Sequence, residues 1–450
     1  MRFNGVTLRI FSWIWFRSSM LFKRQPAHLL IVVALAGICS AQPLTPPVKA
    51  AHSAEIARAQ LDDLRVKGYE ALFSLDYHTA NRMFEEMTRL FPDHPAGPQC
   101  LAATLWLQEL NRSRHRQAAL YSTESFSAGE EKVDPRLREQ FLRWTRTATQ
   151  LSEARLRRNP RDVEAHYFLG VTDGLKAVFA AGIERRFRSA LSDSSRAVDR
   201  HREVLKIDRS FHDAELSIGL HDFIVGSLPL PIKMLASIAG VRGSKKRGLE
   251  TLERVAKDGQ WARVSARLLL IDIYKREKRW TEALAAAREL GDRYPRNYLF
   301  QLQAADALIA RSITSRQKKS TGSFAMSADR DAAFSIFESL LREQKSGTAS
   351  KRSVAIDLIH FRYGEALLLS GQPQRATEEF LAAAATQVGV ENDLSTTARL
   401  RAAQSMDVAG KRSEALREYR AVFQSAKSDG LIAAAKRGLR KPYRVSEKDH

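Results

Sequence analysis

Residues 261–295, WARVSARLLLIDIYKREKRWTEALAAARELGDRYP, decide how this chain folds. They read as two short helices with a tight connection, one running to Tyr274 and one from Thr281 to Tyr294, with Lys278-Arg279-Trp280 between them. Ala283, Ala287 and Leu290 fall on one face of the second helix at steps of four and three, the helical period. Pro295 stops that helix, because proline has no amide donor and its ring clashes with the preceding turn. A small side chain at the crossing lets the two helices of the pair approach closely.

Working outward, the same spacing recurs. A small residue, an apolar one four on and a proline twelve after the first resemble the second-helix signature of a tetratricopeptide repeat. Gly68, Ala80, Phe84 and Pro92 sit at the offsets this pattern requires, and Ala148 precedes Pro160 by twelve. Ala333 and Phe337 repeat the step of four, and two regular repeats follow: Gly364, Gly371, Ala376 and Phe380, then Ala403, Gly410, Ala415 and Tyr419. Gly371 and Gly410 each precede the small residue by five, where a tight turn needs a permissive backbone. Two repeats are elaborated. Gly170 and Ala197 are 27 residues apart, which implies lengthened helices, and Ile218-Gly219 pairs with Gly248 and Leu252 around an insert at 223–241. The expected fold is all-α, a superhelix of seven or eight helix pairs, since one pair cannot bury its apolar face alone and neighbours must stack.

Composition agrees. Apolar residues make up 44% and charged residues 27%, a globular balance, and β-branched runs are scarce. The formal charge is +21, and removing residues 1–41, which carry five basic residues and no acid, would leave it at +16. Such a balance suits an anionic partner, but the charges are spread along the chain with acids interleaved, which also suits a solvated surface. There are two cysteines, Cys39 and Cys100, too few for a cysteine zinc cluster.

The N-terminus reads as an export signal over 1–41. Lys23 and Arg24 precede the apolar run HLLIVVALAGI at 28–38, which is short for a membrane span, and Cys39-Ser40-Ala41 offers small residues for cleavage before Gln42. Read from Met20 the signal is well proportioned, so Met20 is an alternative start; an uncleaved anchor is the other reading. The expected location is the bacterial periplasm or cell envelope. Residues 42–55 read as a linker, 56–311 as an N-terminal array, 312–328 as a flexible basic loop, 329–440 as C-terminal repeats with a capping helix, and 441–450 as a tail.

The stretch LPLPIKMLASIAGVRG, followed by SKKRGLETLERVAKDGQWARVSARLLLIDIY, gives residues 160–300 a narrower resemblance. It is similar to the bacterial branch of the tetratricopeptide repeat domain 39 and inclusion-body clearance family. Eukaryotic members of that family are associated with the mitochondrial outer membrane or lipid-related processes. The export signal departs from this, so no cellular role carries over, and the resemblance implies no catalytic residues.

Nothing points to catalysis, a metal or a cofactor. No HExxH, GxSxG or glycine-rich phosphate loop occurs, and His221-Asp222 is a lone pair on a helix, more a capping or core contact than a dyad. The expected function is a non-catalytic scaffold whose groove takes a protein or peptide through first-helix side chains such as Phe361, Glu365 and Leu368. The alternative is a lipid-associated protein. The insert at 223–241 with the basic turn after it would present Leu230, Ile232, Lys233, Leu235, Lys245, Lys246 and Arg247 to an anionic lipid, or the insert would fold back to fill the superhelix. The cluster Arg185-Arg186-Phe187-Arg188 has the aromatic interleaving of nucleic-acid binding, but an exported protein rarely meets nucleic acid, so none is expected.

Overall fold

A computed structural model describes residues 48–112, 133–238, 242–317, 323–345, 354–386 and 393–444. All regular structure among them is helical: α1 (Val48–Phe73), α2 (Tyr77–Leu90), α3 (Ala96–Arg112), α4 (Pro135–Arg158), α5 (Val163–Gly182), α6 (Phe187–Ile207), α7 (Glu215–Gly226), α8 (Leu230–Ile238) and α9 (Lys245–Asp258). The series continues with α10 (Arg263–Arg276), α11 (Trp280–Arg293), α12 (Tyr298–Gln317), α13 (Ser323–Lys345), α14 (Ile356–Leu369), α15 (Pro373–Ala385), α16 (Asp393–Val408), α17 (Arg412–Ser425) and α18 (Asp429–Arg440). Eight pairs stack in chain order, α7 pairing with α9 across the short α8, and α18 caps α17. The chain is thus an α-α superhelix of tetratricopeptide type.

The spacing residues make the crossings. Ala80, Ala283, Ala376 and Ala415 have no exposed surface, and neither do Phe84, Phe380 and Tyr419 one turn later. Each of these rings needs a hole in a neighbouring helix, and glycine supplies it. A Cβ on Gly364 would lie 2.8 Å from the Phe380 ring, and one on Gly68 would overlap Phe84. Tyr419 instead meets Gly438 of the capping helix, and Gly170 of the lengthened pair faces the ring of His201. Pro92 and Pro295 fall just beyond the ends of α2 and α11.

The turns within pairs share one geometry. Leu75, Lys278, Gly371 and Gly410 have φ of 62°, 56°, 79° and 79°, and each stands five residues before a fully buried alanine. In each, the next residue donates its N–H to the carbonyl five residues back in the first helix: Asp76 to Ala71, Arg279 to Tyr274, Gln372 to Leu367 and Lys411 to Met406, at 2.8–2.9 Å. This is the Schellman closure, in which a left-handed residue satisfies the last carbonyls of a helix. Asp76 then caps α2, its side chain accepting from Thr79 N at 3.1 Å. The two glycines fit this at no steric cost; Leu75 and Lys278 adopt the same backbone against their preference.

Several boundaries differ from the sequence reading. The expected linker at 42–55 is already helical from Val48, and residues 42–47 lie outside the described residues. The expected loop at 312–328 is helical at both ends, because Trp280 Nε1 donates to Thr314 Oγ1 at 3.0 Å and Arg311 pairs with Asp329, tying α12 to its neighbours beyond Ala310; residues 318–322 lie outside the described residues. Trp261 belongs to a loop and not to a helix: its N–H and that of Ala262 both donate to the buried carboxylate of Asp213, at 2.8 and 2.7 Å.

The array also closes on itself. The end of α1 reaches the turn between α11 and α12, where Asn297 Nδ2 donates to Phe73 O at 2.7 Å, Arg293 pairs with Glu70, and the rings of Phe73 and Tyr294 are 5.6 Å apart.

Candidate functional site

That closure builds a cleft. The outer half of α1, the α2–α3 turn, the ends of α4 and α5, and Trp261 converge around a cavity of about 260 Å³. Its apolar floor is Leu61, Phe91, Phe168 and Trp261, the last two rings stacked at 5.9 Å. Arg65, held by Asp62 at 2.7 Å, lays its guanidinium 3.8 Å over the Trp261 ring, a cation–π contact that fixes the indole.

The rim is charged and cross-linked. Arg155 donates to both carboxylate oxygens of Asp162, at 2.8 and 3.1 Å, and to Glu164 at 3.1 Å. Arg58 of α1 reaches Glu164 at 3.1 Å while most of its side chain stays in solvent. Asp162 is local to α5, whose first turn it caps through Ala165 N at 3.0 Å. His94 Nδ1 accepts from Ala96 N at 3.2 Å, which leaves Nε2 as its protonated nitrogen, 3.6 Å from Glu164. The His94 contact, helped by the charges of Arg155 and Arg58, holds the Glu164 carboxyl down at about 2 against burial, so it is ionised throughout the neutral range. The result is a small apolar hole with a donor–acceptor rim, opening on a shallower concavity bounded by Pro92, Asp93, Arg158 and Asn159.

Further along the array the first helices carry a polar ladder. Lys275 of α10 and Arg362 of α14 both donate to Asp306 of α12, at 3.2 and 2.9 Å. Arg401 of α16 grips Glu365 of α14 with two bonds of 2.5 and 2.7 Å. Burial by itself would lower the Arg401 pKa, but the adjacent Glu365 carboxylate outweighs it and raises it.

The ladder corrects the expected partner-binding set. Phe361 and Leu368 are core residues at 5% and 4% exposure, with the Phe361 ring edge-on to Phe380 at 5.6 Å. Glu365 is already engaged by Arg401. The physical reason is that α14 is packed by α12, α13, α15 and α16, so an interior first helix has little free surface.

Of the insert, Phe223 and Val225 on α7 are buried, whereas the described side chains of α8 do not fill the superhelix. Leu230 and Ile238 of α8 are 72% and 81% exposed, as is Met234 at 61%. The side chains of Ile232 and Leu235 lie outside the described residues. Lys233 Nζ donates to Gly226 O at 3.1 Å, satisfying the end of α7. Lys245 pairs with Glu277 at 2.6 Å, Lys246 lies 3.9 Å from Glu250, and Arg247 holds Asp222 through two bonds of 2.5 and 2.8 Å. Asp222 is therefore a core contact, as expected of the His221-Asp222 pair. Among the described residues no group of three or more His, Cys, Asp or Glu side chains could hold a metal, and no helix is long and apolar enough to cross a membrane.

Sequence reasoning missed the cleft. Arg58 and Arg65 come from α1, Arg155 from α4, and His94 and Trp261 from two connections between pairs, and no linear spacing joins them.

The repeat architecture defines an α-α superhelical protein. No family profile matches the chain, and no characterised protein matches it by sequence. The narrower family resemblance accordingly gains no support. Among solved structures the chain is similar to the human IFIT1 dimer with m7Gppp-AAAA, at 11% identity over 84% of this chain and 85% of that one, with a TM-score of 0.44. It is also similar to yeast Tom70, at 11% identity over 82% and 87% with a TM-score of 0.34. A tetratricopeptide repeat protein from Parabacteroides merdae aligns at 13% identity over 76% and 99%, with a TM-score of 0.29. At these values the comparisons carry nothing about ligand or partner.

Proposed function

We propose that this protein is a non-catalytic scaffold of the bacterial cell envelope that captures a peptide segment of a partner protein in the cleft beside Trp261. The observation that supports it is the combination of an apolar floor with a rim of ordered donors and acceptors. The hole, about 260 Å³, falls below the range of roughly 300–1,000 Å³ usual for small-molecule pockets. It suits one apolar anchor side chain of a peptide, while the exposed Arg58 would exchange its pairing with Glu164 for an acceptor on the flanking backbone.

Peptide-display selection on the intact protein tests this. Enriched peptides should carry an apolar or aromatic anchor and lose binding at least tenfold to an Arg58→Glu variant, whose exposed substitution leaves the fold in place. Enriched peptides indifferent to that change would sink the reading. Export is a separate part of the proposal, supported by the N-terminal sequence alone. Fractionation of a C-terminally tagged protein, with N-terminal sequencing of the mature chain, should give a start near Gln42 in the envelope fraction.

A further inference from the structure

A second surface has no role in the cleft reading. On α8, Leu230, Met234 and Ile238 recur every four residues, so they form one stripe along the helix, and all three stand 61–81% exposed. Ile224 of the adjoining α7 adds a half-exposed apolar side chain. Large apolar side chains gathered on one exposed face mark an interaction site, whereas scattered ones need no explanation. The helix is short and packs on α7. A short helix with one exposed apolar stripe suits the acyl boundary of a deformable apolar medium.

The surroundings identify that medium. After α8 the chain runs through Arg242, Lys245, Lys246 and Arg247, all exposed; the Lys246 side chain is 87% accessible. Arg247 and Lys245 are anchored to the body through Asp222 and Glu277, and a Cβ on Gly226, in the segment that leads into α8, would overlap Lys245 N. An apolar stripe next to fixed basic groups complements the acyl boundary and anionic head groups of a membrane surface. The chain's charge, +16 without residues 1–41, adds long-range attraction of the same sign.

We infer that α8 docks this protein peripherally on an anionic lipid bilayer, Leu230, Met234 and Ile238 entering the acyl boundary while Arg242 and Lys246 meet the head groups. The inference is independent of peptide capture, which uses α1 to α5 and Trp261.

Vesicle flotation of the full chain tests it, with phosphatidylcholine vesicles containing phosphatidylglycerol against phosphatidylcholine alone. The protein should float with the anionic vesicles and not with the neutral ones. The Leu230→Asp/Met234→Asp/Ile238→Asp variant should lose binding at least tenfold with unchanged circular dichroism and melting. Arg242→Glu/Lys246→Glu should also weaken it. Absence of flotation, or flotation that the triple variant retains, overturns the inference. So does a self-association in sedimentation velocity that the triple variant abolishes without any vesicle binding, which would assign the stripe to a protein contact.

Discussion

The Asn297 side chain, itself buried, donates to the main-chain carbonyl of Phe73 across 224 residues, at 2.7 Å, next to the contact between the Phe73 and Tyr294 rings. This one bond joins the first repeat to the junction of the fifth and sixth. Without it α1 would still be held by Arg65 over Trp261, by the Arg58–Glu164 and Glu70–Arg293 pairs and by the Phe73–Tyr294 ring contact. Asn297→Ala leaves the Phe73 carbonyl without its donor and should destabilise the protein by about 1–3 kcal/mol. Urea unfolding gives the magnitude, and hydrogen exchange should show faster opening at the C-terminal end of α1. Unchanged exchange there would mean the closure does not restrain α1.

At Gly364 two effects oppose each other. Alanine is the better helix former by about 1 kcal/mol. Its Cβ would lie 2.8 Å from the Phe380 ring, which is fully buried and cannot swing away. Overpacking of that kind costs about 1–3 kcal/mol, so Gly364→Ala should be net destabilising. Combining it with Phe380→Leu should recover part of the loss, a non-additivity that a double-mutant cycle measures.

Lys278 holds a left-handed backbone, φ 56°, with its side chain in solvent. Lys278→Gly removes that strain and raises the unfolded chain's entropy, and the strain term is the larger. The expected gain is about 0.5–1 kcal/mol in thermal or denaturant unfolding, whereas Lys278→Ala should give none.

His201 takes the place of an aromatic ring over Gly170, with Nε2 at 3.2 Å from Tyr167 O and Nδ1 at 2.6 Å from Ser217 Oγ. Burial disfavours its charged form and lowers its pKa to about 4, against about 6.5 in the unfolded chain. The unfolded state therefore binds the proton first as pH falls. Stability from this group is complete above pH 6.5 and is lost between there and pH 4, by about 3 kcal/mol. The His201→Phe variant should show a flatter dependence over that interval; an identical slope would assign acid lability to other groups.

Glu365 is structural on this reading. Glu365→Ala strands the Arg401 charge among buried groups and should cost on the order of 3 kcal/mol. The exposed Lys67–Asp63 pair gives the contrast: Lys67→Ala should change stability by no more than about 0.5 kcal/mol.

The helix pairs, their crossings and their turns were legible in the chain because each is set by residues less than about forty apart. Ala80 and Phe84, or Gly371 and Ala376, act through the 3.6-residue period and the needs of a single turn. The linker and loop boundaries were misread because polar composition was weighed above contacts such as Trp280 to Thr314. Curvature is a different quantity. It accumulates from small rotations at each stacking interface, and no single residue encodes it. Only the tertiary structure therefore brought Arg65 over Trp261 and Asn297 onto Phe73, buried Phe361 and Leu368 between neighbouring helices, and left the α8 stripe in solvent. Periodicity marks a side chain as apolar and gives its face; whether another element covers that face depends on where the rest of the chain goes.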